Sequence, residues 1–157
     1  MSNFSDLNIL VIKSTFYEDV SDALEAGAVA ELQKADADFD VVSVPGTLEI
    51  PILLSMALDS DLLSYESVEG CYHGCVVLGC VIRGETSHYD IVSQESARSI
   101  MDLAISSQIP LGNGILTVEN KDQAMVRADK AEGDKGGAAV RACLSLVQYK
   151  NRFEDWS

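Results

Sequence analysis

The segment Gly74-Cys-Val-Val-Leu-Gly-Cys-Val81 constrains the fold more than any other part of the sequence. It contains no charged side chain, and its two alternating faces are both apolar or small. A strand of this kind is buried on both faces, which is typical of a parallel sheet covered by helices. The segment therefore predicts a central strand in a layered α/β fold.

Strand and helix patterns alternate along the rest of the chain. Right-handed connections between them predict a three-layer α/β/α sandwich in which a four-stranded parallel sheet has flavodoxin-like order. A chain of 157 residues fits one domain, over residues 1–157. The predicted strands are 8–12, 39–44, 74–81 and 114–117, and the predicted helices are 19–34, 49–58, 89–106, 120–128 and 136–152, with polar segments at 59–70 and 129–135.

Local signals refine these elements. Asp19 is the expected N-cap of the first helix, and Asn120 opens a capping box that Gln123 completes. In the helix over 89–106, periodicity predicts an inward face. Its members are Ile91, Val92, Ile100, Met101 and Leu103.

The charge balance narrows the classes of partner. The chain has 25 acidic and 11 basic residues and a net charge of −14, which argues against nucleic acid and anionic membranes. An anionic substrate must therefore be bound by a local group of the few cations. No basic apolar leader and no membrane-length apolar run is found, and we expect a cytoplasmic protein with reduced cysteines.

Cys71, His73 and Cys75 alternate along one segment, but no second pair of ligands follows at zinc-site spacing. The sequence therefore predicts no metal site.

The segment richest in chemical groups is Val81-Ile-Arg-Gly-Glu-Thr-Ser-His-Tyr-Asp90, which leaves a buried strand and enters a helix. Backbone amides at the helix start, together with the Thr86 hydroxyl, are able to bind an anion. His88 can exchange protons near neutral pH, which suits acid–base catalysis. The alternative is a loop whose polar residues only cap the helix.

A second strand end that leads into a helix is Val44-Pro-Gly-Thr-Leu-Glu-Ile-Pro51. Amides over Thr47–Glu49 and the Glu49 carboxylate suit a polyol or an amine. The alternative is a capped turn in which Glu49 interacts favourably with the helix dipole.

Two further features have both a chemical and a structural interpretation. Arg127 and Lys135 flank a charged turn, where they would form either a phosphate clamp or a solvated face. The pair Phe16-Tyr17, in the loop after the first strand, would either stack on a heterocycle or pack on the core.

Taken together, these segments resemble the lumazine synthase family in their order and spacing, over nearly the whole chain. Besides the segments quoted above, the resemblance extends to Gly79 and Cys80 and to four later motifs. These are Gly114-Ile-Leu-Thr-Val-Glu-Asn120, Gln123-Ala124, Arg127-Ala128 and Lys135-Gly136.

The resemblance implies the lumazine synthase fold and a reaction. Members of this family condense 5-amino-6-(D-ribitylamino)uracil with 3,4-dihydroxy-2-butanone 4-phosphate. The product is 6,7-dimethyl-8-ribityllumazine, formed with loss of phosphate and water in the penultimate step of riboflavin biosynthesis. No metal or organic cofactor takes part.

The resemblance also implies roles for individual residues. His88 matches the proton donor and acceptor, and Glu85, Thr86 and Arg127 match the residues that bind the butanone phosphate. The ribitylaminouracil would be bound by Phe16, Thr47, Leu48, Glu49, Cys80, Val81, Ile82, Asn113 and Lys135.

Assembly follows from the same resemblance, because in this family the residues around 113, 127 and 135 come from a neighbouring subunit. We expect a homo-oligomer with active sites between subunits, either a pentamer or a decamer. The short arm over 1–8 and the turn Asp129-Lys-Ala-Glu-Gly-Asp134 argue against a shell of sixty subunits.

Two departures from the family pattern leave an alternative function open. Asn113 replaces a frequent aromatic residue and Tyr17 a frequent asparagine, so a catalytically weak paralogue that binds a flavin or lumazine is the second hypothesis. A flavodoxin or a receiver domain is disfavoured, because the first strand leads into Lys13-Ser-Thr-Phe-Tyr17 instead of a phosphate loop or paired acids.

Overall fold

The computed structural model describes residues 4–64 and 70–156, which form a four-stranded sheet with helices on both sides. The strand order is β2-β1-β3-β4, and every neighbouring pair is parallel. The predicted α/β architecture and its flavodoxin-like order are therefore confirmed. In chain order the elements are β1 (Asn8–Ser14), α1 (Glu18–Lys34), β2 (Asp38–Val44), α2 (Glu49–Asp59), β3 (Gly74–Ile82), α3 (His88–Ser107), β4 (Leu111–Val118), α4 (Lys121–Ala128) and α5 (Lys135–Trp156).

The central strand β3 divides the core into two layers. Val76, Leu78 and Cys80 contact a cluster built with α1, α4 and α5. Cys75 and Val77 point to the other face, where α2 and α3 close the second cluster. Since side chains alternate along a strand, an unbroken apolar run supplies both layers at once.

Helix α5 begins where three backbone segments approach closely. A Cβ added at Gly136 would lie 2.0 Å from the Leu24 carbonyl oxygen of α1, and one at Gly112 would lie 1.8 Å from the Ala139 carbonyl oxygen. Only glycine fits at these contacts, which fix the start of α5 against α1 and β4.

Two predictions about helix α1 and strand β4 were wrong. Asp19 is not the N-cap, because α1 begins at Glu18 and Tyr17 occupies the cap position. Asp19 lies instead in the first turn, where the helix dipole favours a carboxylate. Strand β4 begins at Leu111, so Asn113 lies within an edge strand.

The inward face predicted for α3 was also partly wrong. Val92 and Ile100 are buried, but Ile91 is 55% exposed and Met101 is 59% exposed. Each is one position from a buried residue, and one position turns a side chain by about 100° around the helix.

The segment around the cysteines is held by ordinary contacts. The His73 Nδ1 atom accepts a hydrogen bond of 3.0 Å from the Asn8 backbone N–H, and Cys75 is fully buried. In the described ranges 4–64 and 70–156, no His, Cys, Asp and Glu side chains group to hold a metal ion. Part of the loop predicted over 59–70 lies outside the described residues. No helix among the described residues is both long and apolar enough to cross a membrane.

Candidate active site

A cavity of about 440 Å³ lies beyond the carboxyl ends of β1, β2 and β3. Its volume is in the usual range for small-molecule sites, and its position is the one expected for a parallel sheet. Nine of the predicted site residues line it: Phe16, Thr47, Leu48, Glu49, Cys80, Val81, Ile82, Thr86 and His88.

The inner wall of the cavity is formed by strand ends and is buried. Thr47 is only 5% exposed, and its hydroxyl lies 3.5 Å from the Ser14 hydroxyl. Burial, followed by the influence of Asp19, raises the pKa of Cys80 to about 11. The Cys80 side chain is therefore a neutral thiol at neutral pH, able to form a hydrogen bond but not to act as an anionic nucleophile.

Two aromatic rings form the rim of the cavity. Phe16 is 72% exposed, and its ring packs edge-on against Tyr17 with a centroid distance of 4.9 Å. Burial, and to a smaller extent the nearby Cys80, raises the pKa of Tyr17. The rim thus consists of an exposed apolar ring supported by a neutral phenol.

The opposite side of the cavity is the loop that enters α3. His88 is the first residue of this helix, and its backbone N–H donates a hydrogen bond of 3.3 Å to the Thr86 hydroxyl. The helix start supplies further N–H groups that have no partner within the helix. Positive charge density and a histidine therefore meet beside the cavity.

Four predicted site residues, Glu85, Asn113, Arg127 and Lys135, do not line this cavity. All four are exposed. The Asn113 side-chain oxygen accepts a hydrogen bond of 2.9 Å from the Ile115 backbone N–H on the sheet edge. The Arg127 guanidinium donates a hydrogen bond of 3.1 Å to the Gln123 carbonyl within α4.

Among the described residues, no lysine or arginine lines the cavity, whereas Glu49 does. The chain as a whole carries a net charge of −14. A phosphorylated substrate would therefore need a cation that comes from outside this lining.

Arg83, at the end of β3, is the cation next to the cavity in sequence, but its guanidinium is bound elsewhere. Its Nε atom lies 2.9 Å from Glu119 Oε2, and one terminal nitrogen lies 3.5 Å from Asp90 Oδ1. The guanidinium carbon also lies 4.3 Å from the centroid of the Tyr89 ring. Sequence reasoning did not single out this residue.

A second cavity, a groove of about 690 Å³ between α2 and α3, adjoins the first. Leu48 lines both. The groove includes Ile52 and Met56, which are 60% and 61% exposed. A large apolar surface therefore runs from the cavity along these two helices.

A family model described as 6,7-dimethyl-8-ribityllumazine synthase matches residues 6–151 of the chain. The chain belongs to the lumazine synthase family. Among its relatives is a protein of Rhizobium meliloti named 6,7-dimethyl-8-ribityllumazine synthase 1, which is 51% identical over 98% of this chain and 97% of its own length.

Two other members of the lumazine synthase family are similarly close. The 6,7-dimethyl-8-ribityllumazine synthase of Agrobacterium fabrum is 50% identical over 93% of this chain and 96% of its own length. The 6,7-dimethyl-8-ribityllumazine synthase 1 of Rhodopseudomonas palustris is 46% identical over 97% of this chain and 91% of its own length. The similarity thus extends over whole proteins.

The cavity of this lumazine synthase family member also contains residues that were not among the predicted site residues. Tyr17, Gly84 and Tyr89 adjoin predicted site residues in the same loops, and Val92 lies four positions after His88 on α3. The helical spacing of i and i+4 was the available signal for Val92. Pro45 and Gly46 complete the lining.

Proposed function

We propose that this chain, as a single domain, catalyses the condensation of 5-amino-6-(D-ribitylamino)uracil with 3,4-dihydroxy-2-butanone 4-phosphate to 6,7-dimethyl-8-ribityllumazine. One observation carries the proposal: in a chain of the lumazine synthase family, one cavity is lined by eight residues that resemblance assigns to the substrates and by His88, which it assigns to proton transfer. The cavity lies at the sheet edge where ligands of such folds bind.

The pyrimidine would be held between the rim and the strand end. Phe16 presents an exposed ring face that suits stacking on a flat heterocycle. The strand end over Cys80–Ile82 offers backbone groups and a neutral thiol to the edge of the ring. The ribityl chain then extends toward Thr47, Leu48 and Glu49, whose hydroxyl, amide and carboxylate groups suit its hydroxyls.

The reaction releases one water, then phosphate, then a second water, and each of these steps requires proton transfers. The substrate amine attacks the ketone and water leaves to form an imine, phosphate is eliminated, and ring closure releases a second water. His88 transfers protons in these steps. Thr86 and the α3 amides bind the phosphate, whose charge grows as it departs. The resemblance also assigns the neighbouring Glu85 to the phosphate, although this residue lies outside the cavity lining. No metal or organic cofactor is needed.

Among the described residues, no lysine or arginine lines the cavity. This lack of a cation for the phosphate supports active sites that are shared between subunits. We propose that Arg127, Lys135 and Asn113 of one subunit complete the cavity of its neighbour. The apolar surface of α2 and α3, with exposed Ile52, Met56, Ile91, Met101 and Ile105, suits burial in a homo-oligomer. We propose a pentamer or a pair of pentamers in the cytoplasm, where the free cysteines of the chain stay reduced.

The direct test is the absorbance of lumazine formed from the two purified substrates, with the mass of the assembly measured on the same sample. The expected result is turnover by a particle whose mass is a multiple of five chains. Binding of riboflavin or lumazine without product formation would favour the catalytically weak paralogue instead.

Shared sites can be tested by mixing two inactive chains. A His88→Ala chain has no proton carrier in its own site but still supplies Arg127 to the neighbouring site. An Arg127→Ala chain keeps His88 in its own site but supplies no arginine to its neighbour. After dissociation and random reassembly, about one quarter of sites should combine an intact His88 with an intact Arg127. Activity at low ketone phosphate should then recover. A mixture that is no more active than its components would refute sharing.

A further inference from the structure

Arg83 is a cation that the proposed reaction does not use. It begins the loop that carries Thr86 and leads to His88 at the start of α3, and in a chain with 11 basic residues it would be the first choice for a phosphate ligand. The geometry argues against that role, since two carboxylates bind its guanidinium and Arg83 does not line the cavity.

The contacts of Arg83 join three elements at one point. Glu119 follows the end of β4, and Asp90 and Tyr89 lie in the first turn of α3. The Arg83 backbone N–H also donates a hydrogen bond of 2.9 Å to the Val118 carbonyl. The loop that carries His88 is therefore fixed at its first residue and at its junction with the helix by the same side chain.

A second set of hydrogen bonds continues from Glu119 into α4. The Glu119 backbone N–H donates 2.9 Å to the Gln123 side-chain oxygen, and the Gln123 carbonyl accepts 3.1 Å from the Arg127 guanidinium. Asn120 also caps this helix by accepting 2.9 Å from the Gln123 N–H. A continuous path of polar contacts thus links Arg83 to Arg127 within one chain.

We propose that Arg83 is a positioning residue that holds the phosphate-accepting loop of its own subunit and, through Glu119 and Gln123, the Arg127 that the same subunit lends to its neighbour. This inference rests on the proposed function and its shared sites. Arg83 acts by placing other groups, because it does not line the cavity in which the substrates are proposed to bind.

The shape of the side chain is essential to this role. A guanidinium can donate to Glu119 and Asp90 from different nitrogens while its flat face covers the Tyr89 ring, whereas an ammonium group is a point charge. Exposed ion pairs contribute little to stability one by one, so the loss of Arg83 should displace the loop without unfolding the chain.

The first experiment compares Arg83→Gln and Arg83→Lys in steady-state assays with both substrates. Displacement of groups by about 1 Å is costly in catalysis, and we expect KM for the ketone phosphate to rise roughly tenfold in both variants. The midpoint of thermal unfolding should not change. Wild-type kinetic constants in either variant would overturn the proposal.

The matched control is Arg152→Gln. Arg152 is also exposed, and its guanidinium carbon lies 5.0 Å from the Trp156 ring centroid at the far end of α5. It lines neither the cavity nor the groove described above. Its kinetic constants should equal those of the wild type, whereas an equal rise in KM would show that loss of any surface arginine is enough.

The second experiment adds Arg83→Gln to one chain of the mixed assembly. In the Arg127→Ala chain, Arg83→Gln affects the loop beside the intact His88 of the restored site. In the His88→Ala chain, Arg83→Gln affects only the Arg127 that this chain supplies to the restored site. Recovered activity should fall in both arrangements. Unchanged activity in the second arrangement would overturn the link to Arg127. If the wild-type chain forms no lumazine, the proposed function fails; if it does and Arg83→Gln is neutral, this inference alone fails.

Discussion

Two of the few cations lie at the carboxyl edge of the sheet, and both are bound by acids. Lys13, in β1, pairs with Glu25 and with Asp22 at 3.3 Å. Burial lowers the pKa of Lys13, but its hydrogen bonds to Glu25 and Asp22 outweigh that effect and leave the pKa raised. With Lys13 and Arg83 both engaged, a bound phosphate would need a cation supplied from elsewhere.

Replacement of His88 tests the acid–base role directly. We expect His88→Ala to slow lumazine formation by roughly 10²-fold, since a positioned proton donor and acceptor contributes at least that much. The rate is followed by product absorbance at saturating substrates. His73→Gln is the control, because the His73 ring accepts a hydrogen bond from the Asn8 N–H and does not line the cavity. Equal rates for His88→Ala and the wild type would exclude His88 from the mechanism.

Replacement of Arg127 separates binding from chemistry. Because its forked donors suit a phosphate group, Arg127→Ala should raise KM for the ketone phosphate and leave KM for the pyrimidine nearly unchanged. Initial rates measured while each substrate is varied in turn distinguish the two constants. An unaltered KM for the ketone phosphate would contradict the anchoring role.

For single residues, the sequence predicted those site positions that follow directly from the ends of strands. Thr47 and His88 follow strand ends, and parallel strands bring such ends to one edge, so their common cavity was predictable. The partners of Arg83 were not, because Glu119 lies 36 residues later and no local pattern connects them.

Among the elements, α3 shows what periodicity leaves undecided. Its apolar residues occupy both the face that buries Ile100 and the face that exposes Met101 and Ile105. A hydrophobic position indicates burial, but it does not distinguish the core of the same chain from a neighbouring subunit. The start of β4 at Leu111 was missed for another reason, since Asn113 is unusual within a strand.

At the contact between α1 and α5, replacement of glycine by alanine should destabilise the chain, whereas helix propensity alone would predict stabilisation. Alanine is favoured over glycine within helices by about 1 kcal/mol. At Gly136, however, a Cβ would lie 2.0 Å from the Leu24 carbonyl oxygen. We expect Gly136→Ala to lower the free energy of unfolding by about 1–3 kcal/mol, as overpacking does.

Urea denaturation monitored by circular dichroism measures that change. Gly84→Ala is the matched control, because a Cβ there would meet no atom within 4 Å. Its stability should stay close to that of the parent chain. Stabilisation by Gly136→Ala would show that the helices separate easily at this contact.

For the whole molecule, the buried thiols make the free energy of unfolding decrease at alkaline pH. Burial raises the pKa of Cys80 to about 11 and that of Cys143 to about 12, and it raises the pKa of Cys75 as well. In the unfolded chain these thiols would ionise near pH 9, the ordinary value. The unfolded state therefore binds fewer protons above that pH, and stability falls as pH rises.

The size of this effect can be isolated with one substitution. Each buried thiol should cost about 1 kcal/mol of unfolding free energy between pH 8 and pH 10. Urea denaturation at both values should show a loss that is smaller by about that amount in Cys143→Ala. Cys71→Ala, which removes a partly exposed thiol, is the control. An identical loss in Cys143→Ala and the wild type would contradict the argument.

The layered architecture was predictable at this scale because the apolar run of β3 requires cover on both faces. The residues that would complete the site from a second subunit were not predictable from these patterns, since their side chains lie on the surface of the single chain. Only the resemblance, and not periodicity or charge, pointed to Arg127 and Lys135 as parts of another subunit's cavity.

Leu48 lines both the candidate-site cavity and the groove of α2 and α3. A molecule in the cavity and a chain packed into the groove would both contact Leu48, so a shift of this residue would link occupancy of the cavity to association of the chains. Such coupling acts equally in both directions. Dilution of the protein should therefore change the affinity for a substrate analogue, and a saturating analogue should change the dissociation constant of the oligomer by the same factor.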